Sequence, residues 1–213
     1  MQKRSRLKRL VFLRRSKGFN LLELVITISL VSILTVLAVP GFEAISNINR
    51  LSGTSNEFLT TLQMARSESI RKGVRVVVCR SANPDEGAAA ICSTASGNWS
   101  GWIVFVDDGA GTAANARNGV RNSGETLVRV GSATAPIVIV PSTAISGASQ
   151  RIIFRPDGLA RTAANALLEA QMRVCVPTAN PTENARDVSI LFGSRTLIRK
   201  TNAAGACDAP ANS

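Results

Sequence analysis

A run of 21 almost uniformly apolar residues near the N-terminus restricts this chain more than any other feature. Residues 19–39 read FNLLELVITISLVSILTVLAV and contain one ionisable side chain, Glu23. As an α-helix, at about 1.5 Å per residue, the run is roughly 30 Å long, which is the thickness of the hydrocarbon core of a bilayer. The run therefore predicts one membrane-spanning helix, in which an ionisable group such as Glu23 requires a functional explanation.

The positive charge of the chain is concentrated just before this run. The formal net charge is +11, but eight of the 25 Lys and Arg residues, and none of the 14 acidic residues, lie in residues 1–18. Because basic flanks stay on the cytoplasmic side, we expect residues 1–18 in the cytoplasm and everything after Pro40 across the membrane. The run is longer than the apolar core of a cleaved secretory signal, and a plain signal anchor leaves Glu23 unexplained.

The residues at the start of the run, KGFNLLEL at positions 17–24, resemble the processing site of type IV prepilins and of the pseudopilins of type II secretion. The resemblance implies cleavage between Gly18 and Phe19 by a prepilin peptidase, followed by N-methylation of Phe19. It also implies that Glu23 is the acid used in assembly, where it can neutralise the new amine of a neighbouring subunit in a medium that screens charges poorly. Pro40 stands where pilins often carry a helix-bending proline.

The four cysteines, Cys79, Cys92, Cys175 and Cys207, include no Cys-x-x-Cys pair, so the spacing of a metal site is absent. Three pairings are open, of which Cys79–Cys92 and Cys175–Cys207 are the most local. Four buried thiols are the alternative and would suit a cytosolic protein. Because the head is expected outside the cytoplasm, two disulfides are favoured.

After the apolar run, the sequence predicts more helix and then short strands. Residues 41–72 carry apolar side chains at mostly three- or four-residue steps, and Gly73 suits the end of a helix. Those side chains are Phe42, Ile45, Ile48, Leu51, Phe58, Leu62 and Ala65. Eight strands are predicted at residues 74–80, 101–106, 126–130, 137–140, 151–154, 171–176, 187–192 and 195–200. Residues 202–213 are expected to be a tail held only through Cys207.

These elements predict an α+β fold, in which a long N-terminal helix packs on a two-sheet antiparallel β head of pilin-like type. The expected divisions are a leader at 1–18, a transmembrane and assembly helix at 19–40, an amphipathic periplasmic helix at 41–73, and a β-rich head with two disulfides at 74–213.

Several phrases of the head resemble the GspH/FimT group of minor pilins and pseudopilins. They are residues 56–80, the Gly-Trp strand WSGWIVFVD at 99–107, GETL at 124–127, FRPDG at 154–158 and the late Cys175. The resemblance implies a low-abundance subunit that copolymerises with other pilins and helps to initiate or cap a type IV pilus or a type II secretion pseudopilus. It also implies a single-pass protein of the bacterial inner membrane with a periplasmic head.

A second function, binding of double-stranded DNA without regard to sequence, is suggested by the arginines of the late strands. Some FimT-like pilins bind DNA through a Gly-Arg-x-Arg phrase, which is interrupted here at residues 193–200. Arg195 and Arg199 are still expected on one strand face, about 13 Å apart at about 3.3 Å per residue, next to Lys200. The candidates that could extend this patch are Arg151, Arg155 and Arg161. No aromatic residue alternates with the arginines, so binding through phosphates is expected.

Other chemistries receive little support from the sequence. The chain has neither His nor Tyr, so the commonest general base and metal ligand is missing and an enzyme is not expected. Oxygen-bearing residues between Asp107 and Glu125 do not have the spacing of an EF-hand, and an acidic, Gly-rich turn is the favoured interpretation. No cofactor and no metal are expected. Trp99 and Trp102 are expected in the core or against the Cys79–Cys92 bridge.

Overall fold

The computed structural model describes residues 18–162 and 164–213, without the side chains of residues 37–40. The chain divides into two compact units, Met1–Gly41 and Phe42–Ser213. The first unit contains the apolar start of helix α1, and the second contains the rest of that helix and all the strands.

Helix α1 spans Leu21–Lys72. It ends where Gly73 takes the left-handed conformation (φ 67°) and donates its amide to the carbonyl of Ser69, as helix C-termini commonly do. From Leu51 onward its buried residues recur at three- to four-residue steps, through Ser55, Phe58 and Leu62 to Ala65. The predicted apolar stripe, which starts at Phe42, is only partly buried. Phe42, Ile45 and Ile48 are exposed, and burial begins at Leu51.

All eight predicted strands are present, with ends displaced by at most two residues. They are β1 (Arg75–Arg80), β2 (Gly101–Asp107), β3 (Leu127–Ser132), β4 (Val138–Pro141), β5 (Arg151–Phe154), β6 (Ala170–Cys175), β7 (Ala185–Leu191) and β8 (Arg195–Thr201). A short helix, α2 (Thr143–Ser146), and 3-10 turns at Pro84–Ala89, Gly109–Gly111 and Phe192–Ser194 lie between them.

The strands form two four-stranded antiparallel sheets, so the predicted α+β fold is confirmed. The first sheet has the order β3-β2-β1-β5 and the second has the order β4-β6-β7-β8. The second sheet pairs strands that follow each other closely in the chain, except that β4 joins β6. In the first sheet β1 lies between β2 and β5, although 70 residues separate the end of β1 from the start of β5.

The main core combines one face of each sheet with helix α1. Phe58 of the helix meets Trp99 and Trp102 edge-on, with ring centroids 6.0 and 5.3 Å apart. Both indole N–H groups are satisfied, because Trp99 donates to Gln150 at 2.7 Å and Trp102 donates to Thr61 at 3.3 Å. The tryptophans therefore pack in the core, which is the first of the two expected positions.

Each sheet also carries a smaller apolar cluster on its other face, and each cluster contains a disulfide. Cys79 of β1 is joined to Cys92 beside Val77, Ile103 and Phe105, and Cys175 of β6 is joined to Cys207. These are the two local pairings that the sequence favoured.

The C-terminal residues are held more firmly than expected. The hydroxyl of Ser213 donates to the carbonyls of Ala170 and Ile190, and the side chain of Asn212 accepts from the amide of Ala144. The expectation that only Cys207 holds this tail is wrong, because polar side chains at its end bond to helix α2 and to the backbone of β6 and β7.

Candidate assembly helix and arginine surfaces

The start of helix α1 is built by residues next to the predicted cleavage site. Gly18 and Phe19 lie before the helix and are exposed. The side-chain oxygen of Asn20 accepts from the amide of Leu22 at 3.3 Å, which is the bond of an N-cap. Glu23 then lies in the first turn, where the helix dipole favours a negative charge.

The helix that follows is suited to an apolar surrounding. Every side chain from Leu21 to Val36 is exposed, and helix α1 is long and apolar enough near its N-terminus to cross a membrane. The hydroxyls of this segment bond to backbone carbonyls three or four residues earlier, which removes unsatisfied donors from the apolar surface. Glu23 is the one charged side chain among the described residues of this segment. Pro40, the predicted bending point, has a side chain outside the described part of the chain.

The arginines of β8 are the predicted DNA-binding residues. Arg195 and Arg199 lie on the same face of β8, with Leu197 between them, and both are exposed. Neither has a hydrogen bond or an ion pair within residues 18–162 and 164–213. Lys200 faces the opposite side of the strand and lies 3.7 Å from the carboxylate of Glu183, so it does not belong to the same row.

One feature of this surface was not anticipated from the sequence. Phe192, in the turn that precedes β8, has 68% of its side chain exposed. An aromatic residue thus stands three positions before Arg195, although the sequence suggested that no aromatic residue accompanied the arginines. Phe192 was predicted as the last residue of a strand. Its assignment to the tight turn between β7 and β8 would have indicated that it is exposed.

The arginines of and after β5 lie elsewhere. Arg151, Arg155 and Arg161 line a groove of about 360 Å³ on the first sheet, together with Arg75 of β1. β5 is an edge strand of the other sheet, but the segment after it meets the start of β8, because the amide of Ala160 donates to the hydroxyl of Ser194 at 2.7 Å. Extension of the row on β8 by these arginines stays a prediction.

The acidic loop between β2 and β3 uses its carboxylates to hold backbone amides. Asp107 accepts from the amides of Asn118 and Gly119, and Glu125 accepts from those of Gly109 and Asn122. Both acids are buried, and burial is the main reason why the pKa of Glu125 is raised. Their oxygens are thus engaged in shaping the turn. Within the described ranges, no group of three His, Cys, Asp or Glu side chains is arranged to hold a metal ion.

Two solved structures resemble this chain in fold. Both are crystal structures of the type IV minor pilin FimU of Pseudomonas aeruginosa strain PAO1, in two crystal forms. One is 15% identical with a TM-score of 0.45 and covers 70% of this chain and 92% of its own. The other is 16% identical with a TM-score of 0.47 and covers 79% and 98%. The comparison with curated proteins gives no match.

The family is shown by the sequence itself. The family described as Type II transport protein GspH matches residues 54–194, which is more than half of the chain and includes seven strands as well as the buried end of helix α1. An exposed apolar helix that leads into a disulfide-bonded two-sheet head agrees with that assignment. The chain belongs to the GspH family, whose members are pilin-like structural proteins.

Proposed function

We propose that this chain is a minor pilin or pseudopilin, inserted in the inner membrane and assembled as a low-abundance subunit into a type IV pilus or a type II secretion pseudopilus. The observation that carries the proposal is the helix segment Leu21–Val36, which is apolar on all sides and fully exposed. A soluble protein rarely exposes an apolar surface of this extent, so either lipid or the helices of other subunits must cover it.

Two features of the described residues favour transfer from lipid into a filament. Glu23 lies in the first helical turn, four positions after Phe19, where it can meet the amine of a neighbouring processed subunit in a weakly screening medium. Phe42, Ile45 and Ile48 are exposed on the helix beyond the expected span, so apolar surface remains for packing against a neighbouring helix. In this role the subunit helps to initiate or cap the filament.

Processing and assembly are tested separately. Mass spectrometry of the membrane-purified protein should show a chain that begins at N-methyl-Phe19. Glu23→Ala should leave that cleavage intact and reduce incorporation into filaments, because the amine then lacks its partner. Glu43→Ala is the matched control, since Glu43 is an exposed acid on the same helix outside the expected span. A mature chain starting elsewhere, or equal incorporation of both variants, would contradict the proposal.

Binding of double-stranded DNA is the second candidate. It is favoured by the exposed, unpaired side chains of Arg195 and Arg199 on one strand face, with Phe192 exposed nearby. Such binding would be phosphate-driven and indifferent to base sequence.

The DNA candidate is tested with the full chain in nanodiscs of zwitterionic lipid. The Arg195→Gln, Arg199→Gln double variant should flatten the log–log salt dependence of binding to duplex DNA by roughly two units, at about 0.9 per phosphate contact. DNA uptake should fall while filament assembly stays normal. No mobility shift at low salt with tens of micromolar protein would reject DNA binding, because phosphate attraction is strongest there.

A further inference from the structure

The groove on the first sheet gathers positive charge from three separate segments. Arg75 comes from β1, Arg151 and Arg155 from β5 or just after it, and Arg161 from the chain that returns alongside β5. All four side chains are half-buried, and no acidic residue lines the groove. Four cations in one recess repel each other more strongly than four cations on an open surface, because solvent screens them less.

Two of these arginines lie directly beyond the last residue pair of β1 and β5. The register of the two strands ends at Val76 and Phe154, and Arg75 and Arg155 are the next residues along each chain segment. Both line the groove, so their like charges repel each other there. On its other side, Arg75 is opposite Asp107, but both oxygens of that carboxylate already accept backbone amides.

The guanidinium groups differ in how many of their donors are used. Arg75 donates to the carbonyl of Arg117 at 2.7 Å, and Arg151 donates to that of Gly119 at 2.7 Å. Arg161 is neutralised by Asp157 at 3.0 Å. The side chain of Arg155 makes no hydrogen bond or ion pair within the described ranges, so the N–H groups of its planar fork are unused there. Its charge does act on Asp157, the partner of Arg161, and helps to lower the pKa of that carboxyl.

From this arrangement we propose that the groove binds a phosphate group, free or in an ester. A tetrahedral anion can accept from several directions at once, and guanidinium forks bind phosphate oxygens in pairs. Arg155 binds the anion most directly, with the unused N–H groups of Arg75 and Arg151 on either side. The anion also removes the repulsion between Arg75 and Arg155. The residues of this groove are not those assigned above to filament assembly or to the row on β8.

Small phosphate compounds fit this groove better than duplex DNA does. The arginines are recessed between the segment around Gly119 and the segment Gly147–Ser149, which also line the groove. The exposed row of Arg195 and Arg199 is open to a long rigid polyanion, whereas the groove, of about 360 Å³, has room for a small phosphate compound.

The test uses the full chain in phosphatidylcholine nanodiscs and calorimetric titration at constant ionic strength. Inorganic phosphate and pyrophosphate should bind at one saturable site, with pyrophosphate the tighter. Glycerol 3-phosphate distinguishes the source: binding at least as tight as phosphate indicates an esterified group, and weaker binding indicates the free anion. Arg155→Gln should weaken pyrophosphate at least about tenfold, the scale of a charged, paired hydrogen bond. Arg50→Gln, the matched loss of one exposed arginine on helix α1 outside the groove, should leave it unchanged.

The proposal is overturned by unsaturable binding, by equal weakening in both variants, or by acetate binding as tightly as phosphate. If a short DNA duplex competes with pyrophosphate for the groove, and Arg155→Gln abolishes that competition, the groove is reassigned to nucleic acid. If Arg155→Gln does not fold, as judged by the fluorescence of the buried tryptophans, Arg75→Lys decides. That change keeps the charge but removes the fork, and unchanged pyrophosphate affinity in it would also overturn the proposal.

Discussion

Removal of the Cys175–Cys207 bridge should destabilise the head more than removal of the Cys79–Cys92 bridge. The bridges join residues 32 and 13 positions apart. The loop-entropy relation gives stabilisation of about 4 kcal/mol for the longer loop and about 3 kcal/mol for the shorter. Cys79 and Cys175 are both fully buried in small apolar clusters, so replacement of each pair by Ala leaves similar local losses and isolates the effect of loop length.

The measurement is guanidinium unfolding of the full chain in nanodiscs, followed by tryptophan fluorescence. Trp99 and Trp102 are buried in the main core, so their emission reports on unfolding of the head. The free energy of unfolding should fall in both double-alanine variants, by the larger amount for the longer loop. A loss below about 1 kcal/mol for the longer loop, or a larger loss for the shorter one, would refute the reasoning from loop closure. Free thiols in protein from the periplasm would refute the bridges themselves.

Three further outcomes follow from the packing. Gly131→Ala should destabilise the head by about 1–3 kcal/mol in the same assay, because a Cβ there would overlap the buried ring of Trp102. Gly53→Ala should instead stabilise it by about 0.5–1 kcal/mol, since Gly53 lies inside helix α1 with open space around it. The raised pKa of Glu125 means that the folded state binds its proton more tightly than the unfolded chain does. The free energy of unfolding of the wild type should therefore rise relative to that of Glu125→Gln as the pH falls from 7 through that raised pKa. A difference between the two free energies that does not change with pH would contradict this.

The strands were predictable because each is a short local run of strand-forming residues, bounded by turn residues. Val76 and Val78 face the main core while Val77 and Cys79 face the smaller cluster, so β1 appears in the sequence as one continuous apolar run between two arginines. The helix that precedes it was likewise predicted from a local pattern, together with its end at Gly73.

The arginine groove on the first sheet was not predictable, because it depends on pairing between distant segments. Arg75 and Arg155 are 80 positions apart, and nothing in either local sequence shows that β1 and β5 are neighbours. The sequence around Phe42 has the same apolar spacing as the sequence around Phe58. Phe42 is exposed and Phe58 is buried, because the sheets cover only the later part of the helix. The end of the tail is held by the side chains of Asn212 and Ser213. Their partners lie far away in the sequence, so these bonds were not predictable.

The central position of β1 also sets the order in which the head can form as the chain is made. Strand β1 and its neighbour β2 are complete by Asp107, and Cys79 can meet Cys92 as soon as both are in an oxidising space. The other edge of β1 waits for β5, so Val76–Val78 present an unpaired apolar edge during the synthesis of more than 70 residues. Long-range pairing of this kind is slow and exposes the chain to self-association. If the first helix is inserted in a membrane as proposed, the tether keeps the nascent head apart from other copies during that interval.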